Sequence, residues 1–362
     1  MHRHLAALAL FAATPLPAAT IFTGDSQDGA RIITRLDVAD LPVGKHRFLF
    51  RGTETGSGQN WLVPILVARG ARPGKRVMLI AGVHGDELSS IPVVQQVIER
   101  LDPAQMSGVV TAVIGPNRPG LEQKMRYWPL PESGRSLINP NRVFPGREHG
   151  RPPERQAWLL WNNVFKDNAD VAVDAHTGGT GHDFAFFIFA DYRSKAVQTL
   201  AELYPTAQIL KDPGAPGMLE TTFVAAGIPA ITLEVGGPRG FDPAIIAGSI
   251  TGTMNVIAHY GITGQVGRTA RDAGAFIGDH LANIASTSSG FTELFITIGQ
   301  PVTRGQKIAL QRNAFGDLLA TYASPATGVV AILGIDAMRE TGATIAEILT
   351  NDPGAPAEHP DE

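Results

Sequence analysis

Four apolar runs punctuate the chain: RVMLIAG at 76–82, GVVTAVIGP at 108–116, ADVAVDAH at 169–176 and PAITLEVGG at 229–237. They are nearly continuous rather than alternating, and Gly, Pro or a polar residue bounds them. Runs of this kind are strands buried on both faces. Between them lie stretches of helical periodicity. In LSSIPVVQQVIERL (88–101), Ile91, Val94, Val97, Ile98 and Leu101 fall on one face of a helix. ERQAWLLWNNVF (154–165), SKAVQTLAELY (194–204) and PAIIAGSITGTMNVIAHYG (243–261) read in the same way, with a long loop over roughly 117–153. Strands alternating with helices predict an α/β domain with a mostly parallel central sheet. In such sheets, sites gather beyond the C-terminal ends of the strands. His84, His176 and Glu234 stand at three such ends, so the pattern alone brings them into one region.

Composition narrows the chemistry. The 362 residues contain no cysteine, which removes disulfides, thiolate nucleophiles and thiolate zinc sites together. A metal must then be held by His, Asp or Glu. The net charge of -4 argues against a nucleic-acid partner, which would need a basic face. The start, MHRHLAALALFAATPLPAAT, has a short positive region, an apolar run from Leu5 to Ala13, then small residues. That is the pattern of a secretory signal peptide over 1–19, and the run is too short to span a membrane. No other segment is a membrane-span candidate. The expected organisation is a signal peptide (1–19), a catalytic domain (20–262, β-rich over 20–75), a β-rich appendage (263–350) and a disordered tail (351–362). The expected location is the periplasm or outside the cell. The appendage reads as a small all-β, barrel-like module of short strands and Gly turns. It lacks the lysine hairpin of a biotin carrier, and its expected role is to shape or cover the active-site entrance or to make an oligomer contact. A homo-oligomer is compatible with that role.

Zinc accepts His nitrogen and carboxylate oxygen, and a catalytic site uses three protein ligands. His84 and Glu87, three apart where a strand runs into a helix, can face one point, and His176 can complete the set. By itself the H-x-x-E pair also fits an acidic first helical turn. Asp174, two residues before His176 on the same side of its strand, can orient that ligand. Glu234, alone after an apolar strand, is either a satisfied structural acid or a general base raised by desolvation. The long loop holds Arg126, Arg135, Asn141 and Arg142 among prolines; Asn141 and Arg142, followed by the apolar VFPG, read as anchored, whereas Arg135 and Arg147 read as solvated. Of the remaining histidines, His182 follows a Gly-rich turn and is a lesser candidate for the pocket lining, while His149, His259 and His280, without partners in the pattern, read as surface or structural.

In order and separation, GVHGDE, RY, NR-x-FPG, DAHTGG and LEVGG resemble the succinylglutamate desuccinylase/aspartoacylase family of zinc amidohydrolases, related to the carboxypeptidase A-type metallopeptidases. The resemblance covers roughly 45–260. It implies a zinc-carboxypeptidase-like α/β/α domain with a mostly parallel mixed sheet and a C-terminal β appendage. It implies one zinc ion per chain on His84, Glu87 and His176. Glu234 would be base and proton shuttle, and Arg126 would polarise the scissile carbonyl. Asn141 and Arg142 would bind the carboxylate of a small acylated amino acid. Two departures stand out. Asn139 occupies the position where the family commonly has a supporting aspartate, and Thr177 stands where aspartoacylases have asparagine. The implied activity is deacylation of an N-acyl amino acid or similar small carboxylate. An exported carboxypeptidase and a non-catalytic binding protein are the competing readings.

Overall fold

The computed structural model describes residues 19–130, 136–206, 208–264 and 274–354. Residues 1–18 of the expected signal peptide, Arg135 and most of the expected tail lie outside the described residues. The chain opens with β1 (Ile21–Gln27), β2 (Ala30–Arg35), β3 (Gly44–Glu54), β4 (Asn60–Arg69) and β5 (Arg72–Ala81). A single 3-10 turn, Leu88–Ser90, leads into α1 (Ile91–Arg100), followed by β6 (Ser107–Ile114). The expected long loop is more ordered than its composition suggests. It contains α2 (Arg118–Gln123), a small hairpin of β7 (Trp128–Leu130) and β8 (Ser136–Ile138), and a 3-10 turn at Pro140–Arg142. Next come α3 (Pro152–Leu160), prolonged by a π-helical turn to Phe165, β9 (Val171–His176), β10 (His182–Phe184) and β11 (Phe186–Ala190). Then follow α4 (Lys195–Ala201), β12 (Gln208–Lys211), α5 (Leu219–Ala225), β13 (Ala230–Val235), α6 (Pro243–His259) and β14 (Phe276–Gly278).

Among the described residues, eleven of these strands form one sheet in the order β1-β2-β3-β4-β6-β5-β9-β13-β11-β12-β14. Its centre, β6-β5-β9-β13, is parallel throughout, while β4 and β11 flank it antiparallel. The period of two explains the layering. On β5, Val77, Leu79 and Ala81 pack with Val93, Val97, Ile250 and Val256 of α1 and α6. Met78 and Ile80 pack on the opposite face with Leu160, Leu219 and Phe223 of α3 and α5. The result is an α/β/α sandwich with a mixed, mostly parallel sheet. On β9 and β13 the residues facing α1 and α6 are apolar (Val173, Ala175, Leu233, Val235). The opposite positions turn polar near the strand ends: Asp174, His176, Thr232 and Glu234, all buried.

The remaining strands are β15 (His280–Ala285), β16 (Gly290–Leu294), β17 (Pro301–Val302), β18 (Lys307–Arg312), β19 (Leu318–Ala323), β20 (Gly328–Gly334), β21 (Met338–Arg339) and β22 (Thr344–Thr350). They build two small sheets, β10-β20-β22-β15 with β17 on β20, and β19-β18-β16-β21, around a core of their own. The two parts exchange strands. β10 pairs antiparallel with β20, and β14 extends the large sheet by pairing parallel with β12. Among the described residues, no helix is long and apolar enough to cross a membrane.

Candidate metal centre

The segment after β5 forms a turn rather than a helix. Gly82 takes a left-handed φ of 77°, and the first helical residues appear only at Leu88. His84 and Glu87 therefore converge through a tight non-helical turn instead of the expected helical one. Gly85 is needed for a different reason from Gly82. A Cβ on it would lie 2.0 Å from the carbonyl carbon of Gly120, so the turn presses directly on the backbone of α2. β9 delivers His176 from the neighbouring strand, and β13 places Glu234 directly opposite it in register.

His84 Nδ1 lies 2.7 Å from Glu87 Oε1, and His176 Nδ1 lies 2.8 Å from Glu87 Oε2. One ligand atom from each of the three residues falls within 4.8 Å of the others. All three side chains are at most 3 % exposed. The opposite ring nitrogens point outward to acceptors. His176 Nε2 meets Asp174 Oδ2 at 2.9 Å, and His84 Nε2 meets Asn139 Oδ1 at 3.0 Å. Such outer acceptors fix the tautomer that leaves each Nδ1 lone pair free for an ion. The donor set, two imidazoles and one carboxylate, fits zinc. Asn139 thus stands where the missing aspartate would support a ligand, but as a neutral amide. The same Oδ1 also accepts the Asn141 amide at 2.9 Å.

The electrostatics follow from burial and proximity. Glu87 loses solvation, yet His84 and His176 hold its carboxyl well below the ordinary range. Burial lowers His84, helped by Arg126. Burial also opposes the charge of His176, but Asp174 and Glu87 outweigh it and raise the ring well above its usual value. Glu234 is 5 % exposed, and its Oε2 has no hydrogen-bond partner. Burial pushes its carboxyl up to about 8, against the opposing pull of His176.

Arg126 Nη1 donates to Glu87 Oε1 at 2.6 Å. Asn141 is buried, with Nδ2 3.5 Å from His176 Nε2 and Oδ1 accepting the Leu219 amide. Arg142 is exposed and donates to the Asn141 carbonyl. Asp86, between the two ligands of the turn, accepts from the amide and hydroxyl of Thr180, both at 2.7 Å. This ties the turn to the loop after β9. The Thr177 amide reaches Glu87 Oε2 at 3.2 Å. A cavity of about 400 Å³ opens beside Arg126 and is lined also by Asp86, Lys124, His182, Arg239 and, from the β appendage, Ile332 and Glu347. Of these, His182 is the lesser pocket candidate of the sequence, whereas Arg239 and Glu347 carry no such expectation. A lone acid inside the apolar run of TIAEILT is the signal that marks Glu347.

The mixed sheet, the flanking helices and a buried His-Glu-His cluster with an acid in register beside it define an α/β/α hydrolase with a site suited to a divalent metal. Residues 73–260 match the succinylglutamate desuccinylase/aspartoacylase catalytic domain. The chain belongs to this family of deacylases, which act on the amide bonds of N-acyl amino acids, and it is an amide hydrolase. It is 27 % identical over 298 residues to the N-alpha-acetyl-L-2,4-diaminobutyric acid deacetylase of Halomonas elongata, covering 79 % of this chain and 85 % of that protein. It is similar in fold to a succinylglutamate desuccinylase/aspartoacylase from Rhodobacter sphaeroides, with a TM-score of 0.74 at 21 % identity over 88 % of this chain and 98 % of that one. The product-bound ectoine utilization protein EutE (DoeB) of Ruegeria pomeroyi superposes with a TM-score of 0.76 at 21 % identity, covering 86 % and 98 % of the two chains.

Proposed function

We propose that this chain is a zinc-dependent deacylase that frees an amino acid from its N-acyl group, with one ion held by His84, Glu87 and His176. The observation that carries this reading is Glu234, a buried acid with an unpartnered oxygen, in register beside His176. A zinc ion in such a site supplies Lewis acidity toward a carbonyl oxygen and lowers the pKa of a bound water toward about 7. Glu234 takes the proton of the attacking water and passes it to the departing amine nitrogen. A nearby cation lowers a carboxyl, so Glu234 raised to about 8 without an ion moves toward a working base once one is present. Arg126, already aimed at the cluster, exchanges its contact with Glu87 for the developing oxyanion. Asn141 and Arg142 engage the substrate carboxylate. The N-terminal leader pattern supports export, so the mature protein would start near residue 20; Edman sequencing of protein recovered from the periplasm tests this.

The test of function pairs a substrate panel with metal analysis. N-acyl amino acids, with Nα-acetyl-2,4-diaminobutyrate first because of the Halomonas relative, are compared with free-C-terminal peptides. Deacylation is expected to exceed peptide hydrolysis, and robust peptide cleavage without deacylation would overturn the reading. His84→Ala and His176→Ala are expected to purify with far less than one zinc per chain. Stoichiometric zinc in both variants would refute the ligand set.

A further inference from the structure

The loop over residues 177–181 joins the ligand His176, at the end of β9, to β10, and different parts of the molecule hold its two ends. The appendage holds the far end. His182, Asp183 and Phe184 pair with Gly334, Leu333 and Ile332 of β20, and the Ile335 amide donates to the Gly181 carbonyl at 2.8 Å. The approach is close, since a Cβ on Gly181 would lie 2.8 Å from Asp336 Oδ2. The near end is held by the sheet and by the ligand turn. The Gly178 amide donates to the Gly236 carbonyl after β13, and Glu87 Oε2 accepts the Thr177 amide. Asp86 Oδ2 then accepts the amide and the hydroxyl of Thr180, each at 2.7 Å. Gly178 and Gly179 lie between the Thr177 and Thr180 anchors, and a glycine pair is the most compliant link a backbone offers. A shift of His176 or Thr177 is poorly transmitted across it. Thr180 is the first residue beyond the pair, and Asp86 fastens it to the turn that carries His84 and Glu87.

Asp86 is 1 % exposed, and its other oxygen, Oδ1, has no hydrogen-bond partner. An idle buried acceptor costs free energy, so fold stability alone does not favour this carboxylate. The loop that it fastens contributes Gly179 and Thr180 to the cavity, beside His182 and Phe184 of β10 and Ile332 of β20. We propose that Asp86 is a positioning residue: through Thr180 it locks the appendage-held wall of the cavity to the metal turn, so that ion binding and the grip of β20 on this wall stabilise each other. An ion that orders His84 and Glu87 orders the residue between them, and by linkage the grip of β20 raises the affinity for the ion by the same factor. This inference rests on the ligand set of the deacylase reading.

The experiment is hydrogen–deuterium exchange on the full chain, metal-free and zinc-saturated, read at the β20 peptide over residues 328–336. Zinc is expected to slow exchange there at least about fivefold in wild type, the lower end of ordinary coupling between sites. Asp86→Ala, still loaded at saturating zinc, is expected to lose most of that slowing. Asp86→Asn, which keeps an accepting oxygen for Thr180, restores most of it, a rescue that a merely space-filling or charge-balancing role would not give. Thr180→Val keeps the amide donor and loses the hydroxyl, so it retains part, and it carries the same comparison should Asp86→Ala not fold. No slowing in wild type, or undiminished slowing in zinc-loaded Asp86→Ala or Thr180→Val, overturns the proposal. If wild type takes up no zinc, it is the ligand set that fails, and the metal-free proteins decide the role of Asp86. Asp86→Ala is then expected to speed β20 exchange at least about fivefold over wild type, and equal rates overturn the link.

Discussion

Gly85→Ala tests how the ligand turn is held. The added Cβ would lie 2.0 Å from the Gly120 carbonyl carbon, 2.3 Å from the Leu121 nitrogen and 2.4 Å from the Gly120 oxygen. All three are backbone atoms, so no rotamer change relieves the contact. The shortfall from ordinary van der Waals separation is about 1.4 Å, and overpacking of this kind costs about 1–3 kcal/mol. α2 is poorly able to retreat. Asn117 Oδ1 caps it by accepting the Gly120 amide at 3.0 Å, and a Cβ on Gly120 would itself sit 2.3 Å from Asn117 Nδ2. The turn must therefore move, carrying His84 and Glu87 away from His176. Zinc–ligand bonds are only about 2.0–2.2 Å long, so a shift of about 1 Å breaks the set. With all three contacts on backbone, the upper end of about 3 kcal/mol applies; if half to nearly all of it appears in metal binding, zinc affinity falls about 10- to 100-fold, since about 1.4 kcal/mol is tenfold. The assay is competitive zinc titration against a chromophoric chelator, with thermal melting alongside. Gly56→Ala, whose Cβ meets nothing within 4 Å, is the neutral control. A Gly85→Ala protein with wild-type zinc affinity and melting temperature would refute the close-approach argument.

Other outcomes follow from the same geometry. Glu234→Gln should keep stoichiometric metal yet lose about 10²- to 10⁴-fold in kcat, read by initial rates together with metal analysis. Asp174→Ala should weaken zinc binding about 10- to 100-fold, because His176 loses the acceptor that orients it; chelator competition measures this. Glu220 is 1 % exposed, and burial, with Asp212 adding to it, raises its carboxyl well above 4.5. A raised acid contributes stability that is fully present below about 4.5 and is lost as pH rises through the folded value. Glu220→Gln should therefore gain in melting temperature relative to wild type as pH is raised from 4.5 toward 8, and parallel curves would count against it.

The parts legible in sequence are those set by short-range pattern. The unbroken apolar runs at 76–82 and 169–176 gave β5 and β9, and the polar residue closing a run marked His176 and Glu234. What was missed depends on partners far away in the chain. α2 and the β7–β8 hairpin lie in a Pro-rich stretch without periodicity, and they are fixed by capping at Asn117 and by pairing. β10 and β14 are three residues each, too short to carry a pattern, and exist only because another sheet offers an edge. Asn139 reads in sequence as the loss of an aspartate, and only the fold sets its amide oxygen against His84 Nε2. Arg239 sits in a glycine-rich turn, and its place is set by the Lys124 carbonyl, more than a hundred residues earlier.

The exchange of β10 and β14 has a bearing on how such a chain can diversify. Its two parts cannot be traded between relatives as cassettes. A cut between α6 and β14 strips a strand from one sheet and leaves β10 without its neighbour in the other. The strand bared in this way is the one that brings Phe184 to the cavity and abuts Ile332. The cavity wall that Phe184, Ile332 and Glu347 supply is therefore inherited together with the strand pairing that holds the halves to each other.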